Sequence, residues 1–198
     1  MKKEIGNFIE SLGFTFLLLP PVILILSGCS WLLGGHIHAL FILVAIIISL
    51  LLSSKISSEK WFNGQLWITV GSILLIIGII CYLFNDSAFD SNWYHQPGIY
   101  MLSHGWNPIY QHHSIYFGDS TANVWIDHYD KGQETINASI VALTGNMEIG
   151  KLGNFFLPIS SIMFCFITLK KYFPNWVESK IILLTQVSEV KRIDLFNK

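Results

Sequence analysis

The chain has 198 residues, 52% of them hydrophobic and only 13% charged, with a mean hydropathy of +0.51. A soluble domain carries about 25% charged residues, so this composition places the chain in the membrane class and excludes an ordinary water-soluble enzyme. The net charge of −1 and scattered basic residues give no footprint for nucleic acid.

Taken in order, the chain opens with Met-Lys-Lys and then an apolar run over residues 14–33. That run is too long for a cleaved signal peptide and is followed by no small-residue cleavage site, so it reads as a first span. A helix needs about 20 mostly apolar residues to cross a hydrocarbon core of about 30 Å. Residues 14–33, 37–53, 66–84 and 155–173 meet that pattern, and lipid, which offers the backbone no partner, requires them to be helical. Pro20–Pro21 is expected to kink or delay the first span, and Gly34–Gly35 to turn the chain into the second. The expected fold is therefore all-α and membrane-embedded, with about four transmembrane helices. Residues 1–84 supply three of them, 85–153 form a large external loop, and 154–198 carry the fourth and a tail.

Orientation follows from the basic residues. Lys2 and Lys3, Lys55 and Lys60, and Lys170 and Lys171 all fall on one side of the bilayer, and an excess of lysine marks the cytoplasmic side. The chain is expected to be a multi-pass protein of the cell (inner) membrane with a cytoplasmic N-terminus. Its loop then faces outward, holding seven acidic residues against Lys131 and Lys151, a formal charge of −5. Beyond Lys171 a short apolar run at 181–184 and a charged tail are too short to span; they suit an interfacial helix or the beginning of a fifth span. Cys29, Cys81 and Cys165 lie in apolar runs, where a thiol acts as a small buried hydrophobe.

Within the loop, Pro97 suits the first position of a helix and Gly105 its end, so residues 97–104 read as a short helix with Ile99, Leu102 and Trp106 on one side. Gly-Trp-Asn-Pro at 105–108 is a turn. Residues 133–144 read as a second helix, with Ile136, Ile140, Leu143 and Met147 at helical spacing and Gly145–Asn146 as its stop. Both are expected to lie along the membrane surface as juxtamembrane amphipathic helices. Aromatic residues from Trp93 to Tyr129 suit that depth.

Two polar clusters could carry chemistry. Asp86 and Asp90, four apart, share one face if the third span continues as a helix. Such a pair suits a divalent cation, or a base and its orienting partner, with His95 close by; equally, the two acids could mark the water-facing end of a helix. Around the start of the second loop helix stand Asp127, His128, Asp130, Lys131 and Glu134, where acids are favoured by the helix dipole alone. Four other histidines, His36, His38, His112 and His113, show no metal-ligand spacing. Asn85 and Asn137 each open a glycosylation sequon.

The segments FDSNWYHQPGIYMLSHGWNP and WIDHYDKGQETINASIVALTGNMEIGKLGNFFL resemble the polytopic membrane glycosyltransferases of the GT-C fold class, related to lipid A aminoarabinose transferases and protein O-mannosyltransferases. The resemblance covers about residues 84–170 and rests on the order Asp, Tyr-His, Gly-Trp-Asn-Pro, Tyr-Asp-Lys. It implies that Asp90, with Asp86 as a second carboxylate, is catalytic. It further implies that His95, Lys131 and Tyr94 bind the phosphate-linked end of a polyprenyl-phosphate sugar. An acidic loop needs added positive charge to hold a phosphate, so the resemblance implies either a divalent cation such as Mg or Mn on Asp90 and Asp86 or basic residues supplied from elsewhere. The family's chains have many more spans. The resemblance therefore implies an N-terminal portion, a C-terminal portion or partner subunit elsewhere, and no sugar transfer by these 198 residues alone. A non-catalytic membrane subunit or scaffold whose loop binds a partner is the alternative. A small transporter is disfavoured by the absence of charge in mid-span.

Overall fold

The computed structural model describes residues 2–57, 63–111, 120–128 and 130–173. Lys60, His112, His113, Tyr116, Asp119, Tyr129 and the tail at 181–198 lie outside the described residues. All regular structure among the described residues is helical: α1 (Lys2–Leu32), α2 (Leu40–Ile56), α3 (Gly64–Leu83), a π-helical turn (Ser91–His95), α4 (Gln96–Ser103), α5 (Ser120–His128), α6 (Gly132–Thr144), α7 (Met147–Gly150), a 3-10 turn (Lys151–Phe155) and α8 (Phe156–Tyr172).

Three stretches are long and apolar enough to cross a membrane: Ile5–Leu32, Gly64–Leu83 and Met147–Tyr172. The apolar helix α2, at 17 residues, is shorter. The surface these helices present suits lipid. On α3, Ile68 is 71% exposed, Leu75 65% and Leu83 67%, large apolar side chains of the kind that mark a membrane or partner surface.

The central helix is α1. Half of its most apolar window is buried inside the protein, against 17% for α3. It starts at Lys2, well before residue 14, and runs through Pro20 and Pro21 without a break; the prolines neither end nor delay it. Against α2 it packs through small polar side chains, which let the backbones approach closely. Thr15 Oγ1 lies 2.7 Å from Ser53 Oγ and Ser11 bonds Ser57. The pairs 11–57 and 15–53 make the hairpin antiparallel. On its other side Gly13 meets Phe164 and Phe16 meets Phe156, so α8 is also antiparallel to α1. The last turns of α2 and α8, carrying Lys55 and Lys170–Lys171, therefore lie at the end where α1 begins.

At the opposite end, the described residues between 85 and 153 form a second core. Trp31 from the end of α1 and Ile37 from the α1–α2 turn join Tyr94, Ile99, Leu102, Trp106, Ile126, Ala138 and Val141. The turn at 105–108 locks this unit to the membrane helices. Asn107 Nδ2 donates to the carbonyls of Trp31 (3.0 Å) and Gly35 (2.7 Å), and its Oδ1 accepts from Ile109 N. These bonds fasten the turn that follows α1, where the Trp31 carbonyl also accepts from Gly34 N. Gly105, at φ +101, and Gly145, at φ +67, take the left-handed geometry that ends α4 and α6.

Helix α6 is enclosed by the rest of the protein. Every residue from Glu134 to Val141 is buried, because α1, α4, α7 and the 3-10 turn surround it. Leu143, expected on its apolar face, is 43% exposed. Helix α5 and the α7–3-10 step were not anticipated from the sequence.

Candidate functional site: a polar cavity at the end of the helices

The chain leaves α3 at Leu83 and runs non-helically to Ala88 before a new helix starts at Phe89. Asp86 therefore does not extend α3 and shares no helical face with Asp90. It closes the turn before the new helix instead: Oδ1 accepts from Ala88 N at 3.0 Å and Oδ2 from Ser91 Oγ at 2.5 Å, the local side-chain bonding that favours Asp in turns. These bonds, Ser91's first, hold the Asp86 carboxyl below the ordinary aspartate range. Its backbone N–H donates to Glu148 Oε2. Asp90 follows in the first turn, exposed.

Both line a cavity of about 340 Å³, at the small end of the range for ligand sites. Asp86, Asp90, Ser91, His95 and Gln96 come from one side; Asp130, Gln133, Glu134 and Asn137 from α6 and the residues before it; Met147, Lys151 and Asn154 from the connection into α8. The amides form a chain, with Gln133 Nε2 donating to Asn137 Oδ1 (3.0 Å) and Asn137 Nδ2 to Asn154 Oδ1 (3.2 Å). Asn137, 5% exposed, has no surface at which a glycan could be attached, whereas Asn85 is exposed. Lys151 pairs with Glu148 and donates to the Phe84 carbonyl, tying the end of α3 to the cavity wall.

Glu134 is the hub of this wall. It is 3% exposed. Oε1 lies 2.9 Å from His95 Nδ1, and Oε2 lies 3.3 Å from Lys131 Nζ without making a hydrogen bond. Burial raises its carboxyl above the ordinary glutamate range, against the opposing pull of Lys131 and His95. The close approach of α4 makes this possible: a Cβ on Gly98 would stand 3.0 Å from Oε2.

The residues expected to bind substrate are therefore split. His95 lines the cavity. Lys131 reaches it through Glu134, its side chain 12% exposed. Tyr94 belongs to the outer core, its ring 5.8 Å from that of Trp125 and 4.1 Å from that of His95. The residues missed were Glu134, read only as an acid at a helix start, and Lys151. Glu134 stands at i, i+4, i+7 with the buried Ala138 and Val141, and that placement of an acid on an apolar face is the signal that marks it.

Among the described residues no group of three or more His, Cys, Asp or Glu side chains is placed to hold a metal ion. Both oxygens of Asp86 are engaged in its own turn.

A second hollow, about 450 Å³ and lined by Ile46, Leu74, Gly78, Ile79, Ile140 and Leu152 among other apolar residues, lies between α2, α3 and the far half of α6. Helix α6 thus faces the polar cavity with its first half and the apolar hollow with its second. Comparison with protein-family models, with curated proteins and with solved structures finds no match to this chain.

Proposed function

We propose that this chain is the N-terminal, cavity-bearing part of a membrane glycosyltransferase of the GT-C kind, acting on a polyprenyl-phosphate sugar and an acceptor hydroxyl outside the cell membrane. The observation that carries this reading is the polar cavity at the end opposite the basic helix termini. Carboxylates and amides there suit the hydroxyls of a sugar, and His95 and Lys151 suit an anion. The neighbouring apolar hollow suits a prenyl tail. In this reading α2 is the fourth crossing. Its 17 residues rise roughly 26 Å at about 1.5 Å each, slightly short of the hydrocarbon core, and its hairpin with α1 holds it upright. The helix ends bearing Lys55, Lys170 and Lys171 face the cytoplasm.

The reaction is a single displacement. The acceptor oxygen forms a bond to the anomeric carbon, the bond from that carbon to the phosphate oxygen breaks, and its electron pair leaves with the phosphate. The acceptor's proton must go to a base lining the cavity. The resemblance assigns that role to Asp90, whose carboxylate is placed at the cavity wall. Asp86, fixed by Ser91 and Ala88, shapes the wall. No step is routed through a metal.

The test is transfer of labelled sugar from a polyprenyl-phosphate donor by the chain in nanodiscs, alone and with any partner that copurifies. Loss of transfer in Asp90→Asn or Asn137→Ala, with the fold intact, supports the reading. Absence of both donor binding and transfer in every preparation refutes it and favours a non-catalytic subunit.

A further inference from the structure

We infer that the apolar hollow is a lateral port for the donor's hydrocarbon tail, open between α2 and α3 to the leaflet on the cavity's side, and that Gly78 is the residue that keeps it open. The inference rests on the proposed function for the identity of the tail, and on geometry for the port.

The two hollows share their walls. On α6, Asn137 lines the polar cavity and Ile140, most of a turn further along, the apolar one. In the connection into α8, Lys151 lines the cavity and its neighbour Leu152 the hollow. At the end of α3, Gly78 and Tyr82 line the hollow, and Asp86 beyond them lines the cavity. An occupant that fills both is an amphiphile, polar at one end and hydrocarbon at the other. Depth fits the same description. The hollow reaches from Leu74 to Tyr82 on α3 and takes in Ile42 and Ile46 from the first two turns of α2. That stretch of α3 spans roughly 12 Å at about 1.5 Å per residue, which fits within one leaflet of a hydrocarbon core about 30 Å thick. A lipid whose head lies in the cavity sends its tail down this side.

The hollow is open at its side. Helix α2 packs on α1 and α6, and α3 mainly on α7 and the 3-10 turn, so α2 and α3 face each other across a gap. Leu75, Ile79 and Leu143 line the hollow and are exposed. A void leaves such side chains without contacts on one side, and in a bilayer the material that restores them is hydrocarbon. Lipid tails are as apolar as leucine, so a tail gains no hydrophobic energy by leaving the bilayer for the hollow. What the port supplies is fit: it admits a chain of limited girth and thereby fixes where the head sits in the cavity. Gly78 sets that girth. A Cβ there would meet only Leu152 Cδ1, at 3.6 Å, an ordinary contact, so a larger side chain grows into the hollow without disturbing the backbone.

The test uses the full chain in nanodiscs and a polyprenyl-phosphate sugar that carries a diazirine in its tail. Photolysis followed by peptide mass spectrometry reads where the tail lies, whether or not sugar is transferred. The expected adducts fall on residues 74–82 of α3 and on residues 140–152, and Gly78→Phe lowers their yield by roughly tenfold or more. Gly71→Phe is the control. It stands two turns back on the same side of α3, outside the hollow and with nothing within 4 Å of its Cβ, and should label as the wild type does. In the transfer assay, Gly78→Phe should raise KM for the long-tailed donor by a similar factor and leave a short-tailed, water-soluble analogue unaffected, a split that a general loss of fold would not give. Adducts no denser in the hollow than at the exposed Ile162 of α8, or labelling of Gly78→Phe equal to that of the wild type, overturn the inference and leave the hollow to a helix of another chain. Hollow adducts in a wild-type protein that transfers no sugar refute the proposed function while leaving the port standing.

Discussion

Alanine at Gly98 tests the packing that holds the cavity wall. Its Cβ would stand 3.0 Å from Glu134 Oε2 and 3.3 Å from Cδ, where ordinary contact begins at 3.4 Å. The carboxylate must retreat by about 0.4 Å, stretching the 2.9 Å bond to His95 or the pairing with Lys131. A free glutamate would give way cheaply; this one is 3% exposed and engaged at both oxygens. Overpacking of this kind costs about 1–3 kcal/mol, and the higher helix propensity of alanine returns at most about 1 kcal/mol. Gly71, on α3 with nothing within 4 Å of its Cβ, supplies the control, because alanine there brings the propensity gain without the clash. Reversible SDS unfolding in bicelles should find Gly98→Ala less stable than Gly71→Ala by about 1–3 kcal/mol, with a displaced His95 signal. Equal stability and an unmoved His95 would refute the proposed packing of α4 on Glu134.

Other perturbations have equally definite outcomes. Asn107→Ala removes two bonds, to the carbonyls of Trp31 and Gly35, and should cost about 1–3 kcal/mol in the same unfolding assay; a loss below about 0.5 kcal/mol would show that the outer unit is not latched there. Gly153→Ala brings a Cβ to 2.8 Å from Ile136 Cγ2 and closer still to Asn137 Oδ1, and should destabilise by about 1–3 kcal/mol while breaking the amide chain of the cavity. The folded state holds the Glu134 proton more tightly than the unfolded chain does. Its contribution to stability is therefore greatest below the ordinary glutamate range and declines as pH rises through that range to the folded value. Glu134→Gln should flatten this decline, and an identical pH profile would contradict the assignment. Asp86 has the opposite sign: its carboxyl is held low, so its contribution is present above the ordinary aspartate range and is lost as pH falls through the folded value. Asp86→Ala should remove that acid-side loss along with the two bonds from Ala88 and Ser91, about 0.5–1.5 kcal/mol each.

The membrane character of the chain was legible because lipid leaves the sequence little choice. Long apolar runs must be helices, and lysines gathered at one end mark a side. Turn chemistry was legible for the same reason: Pro97, Gly105 and Gly145 each occupy a position that few other residues accept. What escaped was set by tertiary packing. A partner 39 residues away decides that Glu134 is a buried hub and not a solvated helix-start acid. Asp86 was placed on an extension of α3, yet the bonds from Ser91 and Ala88 hold it in the turn before the next helix. Helix α5 is a nine-residue segment of mixed composition, and its Ile126 finds a core only because Tyr94, Leu102 and Trp106 converge there.

A single engineered cysteine reads the central claim most directly. Asp130 lies exposed at the rim of the cavity, so Asp130→Cys in a chain whose three native cysteines are serine can be challenged with a membrane-impermeant maleimide in right-side-out vesicles. The account predicts rapid labelling from outside, slowed by a polyprenyl-phosphate sugar and not by the same concentration of a neutral lipid. Labelling only after the vesicles are opened, or labelling that the phosphate-linked sugar does not slow, would contradict it.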